Sequence, residues 1–317
     1  MGLIEKGCAL AALSVVALGA YAQTADDFIT PEFERSKTLK LINAQYAYAA
    51  GYTGKGITIA VVDSGLDIHH PEFKGRVSAF MRNYLPGFDP DDVYSDLDPE
   101  NHGTHVAGLA AAARDGKGMH GVAYNSEVLP LRTDFDDEQM VHVFDQAIRA
   151  GSKVLNGSYG PPLVWEADPT DINRLPSPYH PALPNVDEEY ILIKRAADAD
   201  VLLVYAAGND RQNHPGAYTN IPSGVAMFPL ITPTNTALRP DNKYFYRFLD
   251  ELPNFAPATF LGDVDTDPEV WAAVQEYDFS SLTGGLIAVV ATRPDGVISN
   301  YSNLCRAATR WCLAAPG

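Results

Sequence analysis

Three side chains in this sequence have the types and settings that nucleophilic acyl transfer requires, and each borders an apolar stretch. Asp63 follows the run Ile57–Val62 within Val-Val-Asp-Ser-Gly, so it is expected at the carboxyl end of a buried strand, where open α/β sheets hold their ligands. A carboxylate there can fix the tautomer of an imidazole and stabilise the imidazolium formed on proton uptake. A turn-capping aspartate is the plainer alternative. His102 opens the stretch His-Gly-Thr-His-Val-Ala-Gly behind Asn101, a residue type that caps helices well. The positive end of a helix dipole disfavours imidazolium and so keeps a general base neutral. Asn209 ends Ala206-Ala207-Gly208-Asn209, where its amide can donate to a tetrahedral oxyanion or, more plainly, tolerate positive φ in a turn.

His105 stands three residues after His102 and raises a zinc site, but His-Gly-Thr-His lacks the acidic residue of a zincin helix. It reads instead as a structural histidine. Gly103 removes bulk beside the imidazole, and Gly108 is expected to let the helix approach a sheet closely.

The elements that would position these groups alternate. Near-continuous apolar runs predict strands at Ile57–Val62, Glu127–Leu131, Lys153–Asn156, Val201–Ala206 and Leu286–Ala291. Helices are predicted over His102–Arg114, Asp137–Ala150 and Glu188–Ala199, with Asp115-Gly116 and Gly151 as stops. The alternation predicts one α/β domain, a parallel sheet with helices on both faces. Pro161–Asn185 reads as an irregular insertion, and residues 211–283 as loop-rich with a short helix around Pro268–Glu276.

Composition narrows the function. A net charge of −17 argues against nucleic acid as a partner. The acidic runs Asp134–Glu138 (broken by Phe135) and Asp187-Glu188-Glu189 read as solvated loops or helix starts. Residues 1–22 have the layout of a secretory signal: Lys6, an apolar stretch from Cys8 to Ala20, then Ala20-Tyr21-Ala22. A buried N-terminal helix is the alternative. Residues 23–317 would form the mature domain, exported to the periplasm, cell surface or exterior. Export leaves Cys305 and Cys312, an even pair that points to a disulfide rather than to free thiols or an incomplete zinc set.

Taken together, VVDSG, HGTHVAG and AAGN resemble the subtilisin-like serine proteases, the subtilase family. The resemblance runs from about residue 40 to 317 and implies a subtilisin-like sheet acting on protein or peptide substrates. By matching motifs it makes Asp63 the triad aspartate, His102 the general base and Asn209 the oxyanion asparagine. Asn156-Gly157-Ser158-Tyr159-Gly160 resembles the segment that pairs with an extended substrate, so Ser158, Tyr159 and Gly160 are implied in substrate binding. Ala206, Ala207 and Gly208 would line a side-chain pocket beside it. Ile298–Asn303 continues the subtilase resemblance, and the Cys305…Cys312-Leu-Ala-Ala-Pro-Gly segment resembles the bacterial autotransporter branch. That branch implies an outer-membrane translocator as a partner.

The sequence departs from this pattern in one decisive place. The family's Gly-Thr-Ser-x-Ala nucleophile segment is not found before Gly317, and neither Ser158 nor Ser280-Ser281 replaces it. The expectation is therefore a fold incomplete at its C-terminus and a chain inactive by itself. An exported, non-catalytic peptide-binding pseudoprotease is the alternative. No cofactor is expected. A structural calcium is common in the family, but no site is placed: Asp263-Val264-Asp265-Thr266-Asp267 opens like a calcium loop, while Pro268 and Val274 break the pattern.

Overall fold

The computed structural model describes residues 23–94, 101–160, 186–212, 279–305 and 308–317, together with Pro222, Val225, Ala226 and Pro229. The signal-like segment, the Pro161–Asn185 stretch, the Pro268–Glu276 helix and the calcium-like Asp263–Asp267 segment lie outside the described residues.

Seven strands form one sheet: β1 (Thr58–Asp63), β2 (Arg82–Asn83), β3 (Glu127–Arg132), β4 (Val154–Gly157), β5 (Leu202–Ala206), β6 (Leu286–Thr292) and β7 (Cys312–Pro316). Their order is β2-β3-β1-β4-β5-β6-β7, and every neighbouring pair is parallel. The five strands expected from the apolar runs are all present. β7 and the two-residue β2 were not expected, since Cys312-Leu-Ala-Ala-Pro carries no β-branched residue and β2 is too short to show a period.

Side-chain alternation shows why the sheet takes helices on both faces. Ala60 and Val62 of β1 join Leu129, Leu155, Leu203 and Leu286 in one core, which packs on α5 (Asp137–Arg149) and α6 (Val186–Asp198) through Val143, Phe144, Ala147, Leu192, Ile193 and Ala196. Ile59 and Val61 point the other way and meet Ala107 and Ala111 of α4 (His102–Ala111). A strand buried on both sides reads as a continuous apolar run, as Ile59–Val62 does. Ile57 lies before the strand and is 36% exposed.

α4 ends at Ala111, three residues short of the expected Arg114. The chain turns back from there, with Gly121, Val122 and Ala123 N–H groups donating to the carbonyls of Ala112, Leu109 and Ala110. Three short helices precede the sheet: α1 (Pro31–Arg35), α2 (Thr38–Leu41) and α3 (Ala44–Ala49). Thr30 caps α1 by accepting from the Phe33 N–H, and Pro31 occupies its first turn. These helices have their own small core of Phe28, Phe33, Leu39, Ala44, Tyr48 and Tyr124. Among the described residues no helix is long and apolar enough to cross a membrane.

Candidate active site

From β1 the chain runs to β2 and β3 on one side, then crosses to β4 on the other and continues outward, so the sheet has its switch point between β1 and β4. Ligands of open parallel sheets bind outside the carboxyl ends of strands at such a point. Asp63 is the last residue of β1, and its side chain is 3% exposed. His102, the first residue of α4, meets it there: Nδ1 lies 2.8 Å from Asp63 Oδ1 and 3.0 Å from Oδ2. A carboxylate only accepts, so Nδ1 carries the proton of the neutral ring and Nε2 holds the acceptor lone pair. The imidazole is 49% exposed, so a reactant can reach it, while the carboxylate behind it is sealed.

Backbone geometry holds the pair. The Ser64 N–H donates to Asp63 Oδ1, and the Gly103 N–H donates to Ser64 Oγ. A Cβ at Gly103 would stand 2.1 Å from the Gly65 carbonyl oxygen and 3.1 Å from Asp63 Cβ. Position 103 must therefore be glycine for α4 to start against β1. The crowding comes from the strand end, rather than from the imidazole as expected. Gly108 is different: a Cβ there would meet nothing within 4 Å, so its expected packing role is not found. Asn101 also departs from expectation. It occupies the N-cap position in the left-handed region (φ 51°, ψ 44°), and its side chain makes no capping hydrogen bond. Its carbonyl accepts from the His105 N–H instead. Asparagine tolerates this backbone region better than most residues. His105 is exposed on α4, and Thr104 Oγ1 accepts from the Asp67 N–H.

β4 and β5 continue this edge. Val62, Gly157 and Tyr205 are in register, so Ser158–Gly160 and Ala207–Asn209 leave the sheet beside Asp63. Neighbouring strands are about 4.8 Å apart, which puts the β5 end roughly 10 Å from that of β1. Ser158 and Tyr159 are half-buried and Gly160 is exposed. Asn156 Nδ2 donates to Ser158 Oγ, and the hydroxyls of Tyr159 and Tyr205 lie 3.1 Å apart. A Cβ at Gly157 would fall 2.4 Å from the Tyr205 ring, which explains the glycine there. Ala206 is half-buried, Ala207 is buried, and Gly208 turns the chain with φ 105°. Asn209 is exposed in the bend that follows.

Sequence reading missed two supports of this edge. Asn303, 1% exposed, donates its N–H to the Gly208 carbonyl and accepts from the Asp210 N–H through Oδ1. Arg211 reaches the Ser299 carbonyl, so Ser299–Asn303 clamps the Asn209 turn. Phe135, in the left-handed region at φ 67°, stacks on Tyr159 with ring centroids 4.3 Å apart. A bulky residue at positive φ is costly, and only its sequence position between a strand and a helix hinted at a role. Cys305 and Cys312 are bonded to each other, with Cα atoms 5.9 Å apart, at the start of β7.

An open parallel sheet with a buried aspartate orienting a half-exposed histidine at its switch point defines an α/β scaffold with an oriented imidazole at its ligand edge. The chain belongs to the subtilase family, peptidase S8, whose family model matches residues 54–317. It is 42% identical over 136 residues to an extracellular serine protease of Serratia marcescens, an alignment that spans 43% of this chain and 12% of that protein. It is 32% identical over 160 residues to subtilisin E of Bacillus subtilis, across 48% of this chain and 40% of the relative. The chain thus spans less than half the length of these relatives. Among solved structures, the epidermin leader peptide processing serine protease of Staphylococcus aureus superposes with a TM-score of 0.52 at 19% identity, covering 91% of this chain and 59% of that one, a likeness of fold.

Proposed function

We propose that this chain is the Asp-His-bearing part of an exported subtilisin-like serine endopeptidase, and that its nucleophile comes from sequence beyond Gly317. The observation that carries the reading is the hydrogen bond from His102 Nδ1 to a sealed Asp63 at the switch point of the sheet. In the complete enzyme, His102 Nε2 takes the serine proton as the oxygen attacks the peptide carbonyl. Asp63 stabilises the resulting imidazolium, and the Asn209 amide donates to the oxyanion. His102 then returns the proton to the leaving amine, and water resolves the acyl-enzyme by the same route. Ser158–Gly160 holds the extended substrate, with Ala206–Gly208 lining the pocket beside it.

Among the described residues, one face of the sheet is thinly covered towards β6 and β7. On the face that carries α4, Leu202, Val204, Ile287, Val289 and Ala291 are only half-buried, and Leu313 is 57% exposed. Apolar residues in a row on a sheet face call for a cover. Export through residues 1–22 agrees with the extracellular Serratia relative, and a translocator partner of the autotransporter kind belongs to the same reading.

Reading the gene past the codon for Gly317 tests it. A Gly-Thr-Ser-x-Ala segment, in frame or one base out of frame, is the expected result. A clean stop with no such segment in any frame would leave a non-catalytic peptide-binding protein.

A further inference from the structure

Behind α4, away from the Asp63–His102 pair, a histidine is buried where the proposed mechanism has no use for it. His120 is 1% exposed. It sits where the segment 24–50 meets the loop 112–126, with ring centroids 6.1 Å from Phe33, 5.8 Å from Tyr48 and 5.2 Å from Tyr124. Nδ1 lies 2.9 Å from the Gly121 carbonyl and donates to it, while Nε2 is buried without a hydrogen-bond partner. The Tyr48 hydroxyl is already committed to the Val122 carbonyl. That hydroxyl therefore has no proton to offer Nε2, and a second proton on the ring would place a charge in an aromatic box away from solvent.

The contacts around His120 are those that fasten the N-terminal segment. The His120 N–H donates to Ser36 Oγ. The Glu32 carboxylate, 3% exposed as a residue, accepts from the N–H groups of Asp115 and Gly116 at 3.0 Å each. Arg35 donates to the carbonyls of Gly116 and Gly118. Arg114 lies over the Phe28 and Tyr124 rings at 4.8 and 5.6 Å. The same loop returns to α4 through Gly121, Val122 and Ala123, so the fastening reaches the helix that begins with His102.

We propose that His120 is an acid-sensitive latch, and that proton uptake at Nε2 detaches the segment 24–50 from the loop behind α4. The charged groups facing it are Glu32 from α1, which favours the imidazolium, and Arg114 from the loop, which opposes it; Tyr48 and Tyr124 contribute neutral phenols. Burial is the largest influence and holds His120 below the ordinary histidine range, outweighing the Gly121 hydrogen bond and Glu32, which both favour the imidazolium. When the segment is released, His120 regains an ordinary value near 6.5. A depressed folded value means that closure is complete above about pH 6.5 and is lost as pH falls below it, by up to about tenfold per unit.

Hydrogen exchange on the 317-residue chain tests this, following amides 24–50 from pH 8 to pH 5 with rates corrected for their intrinsic pH dependence. Protection in wild type is expected to fall by up to about tenfold per unit below about pH 6.5, and to stay level in His120→Phe. Equal loss in both proteins would overturn the latch. Histidine-selective NMR of the wild type decides the matter even if His120→Phe fails to fold. Ionisation of His120 below the ordinary range, in step with loss of protection, supports the proposal. Ionisation at or above that range with the segment still protected contradicts it.

Discussion

β1 and β6 are both apolar strands of one parallel sheet, yet they live in different surroundings. Every residue of β1 from Ile59 to Asp63 is buried, because α4 covers one face and the α5–α6 side covers the other. In β6 burial alternates: Leu286, Ala288 and Val290 are buried, while Ile287, Val289 and Ala291 are only half covered. The Asp63–His102 pair sits on the doubly covered half, where a fixed backbone can aim a carboxylate. Asn209 leaves the half that the described residues cover more thinly, and its turn is steadied by Asn303 and Arg211. Among the described residues, position in the sheet thus separates a doubly packed strand end, which holds Asp63, from a more thinly covered one, which leads to Asn209.

Substitutions can break this comparison, beginning with the core they share. Leu203→Ala removes a fully buried side chain from the α5–α6 side and is expected to cost about 2–5 kcal/mol, read from the urea midpoint. Reduction of Cys305–Cys312 frees the short loop ahead of β7, with an expected loss of about 2–3 kcal/mol. If the less covered half unfolds separately, that loss will appear as a second transition rather than a shifted one. Gly103→Ala forces a Cβ onto the Gly65 carbonyl and is expected to cost about 1–3 kcal/mol. It should also disturb the His102 Nδ1 proton resonance, whereas Gly108→Ala should leave that signal in place. The smallest effect belongs to Leu313→Ala, expected within about 0.5 kcal/mol because the side chain already faces solvent. A large cost there would mean that the β7 face is covered after all.

Much of this was legible in the sequence, for physical reasons that differ by element. Ile57–Val62 is readable because double burial removes the polar alternation of a surface strand. Asp63 and His102 are readable because a strand end and a helix start are both marked locally, by an apolar run and by Asn101. β7 was missed because alanine, proline and cysteine have little strand preference, and its pairing to β6 is tertiary. Asn303 lies in a segment the sequence singled out, Ile298–Asn303, but its clamping role was missed because its partners, Gly208 and Asp210, lie more than 90 residues away. The crowding at Gly103 also could not be read, since it depends on a carbonyl from another turn.

The most direct measurement is peptide-bond cleavage by the 317-residue chain compared with the chain extended by the residues encoded after Gly317, using fluorophosphonate labelling as a second readout. The extended protein is expected to cleave and to label at one serine beyond Gly317, with activity falling by several decades in Asp63→Asn and His102→Ala. The shorter chain is expected to do neither. Cleavage by the shorter chain, or activity that survives in His102→Ala, would contradict the account.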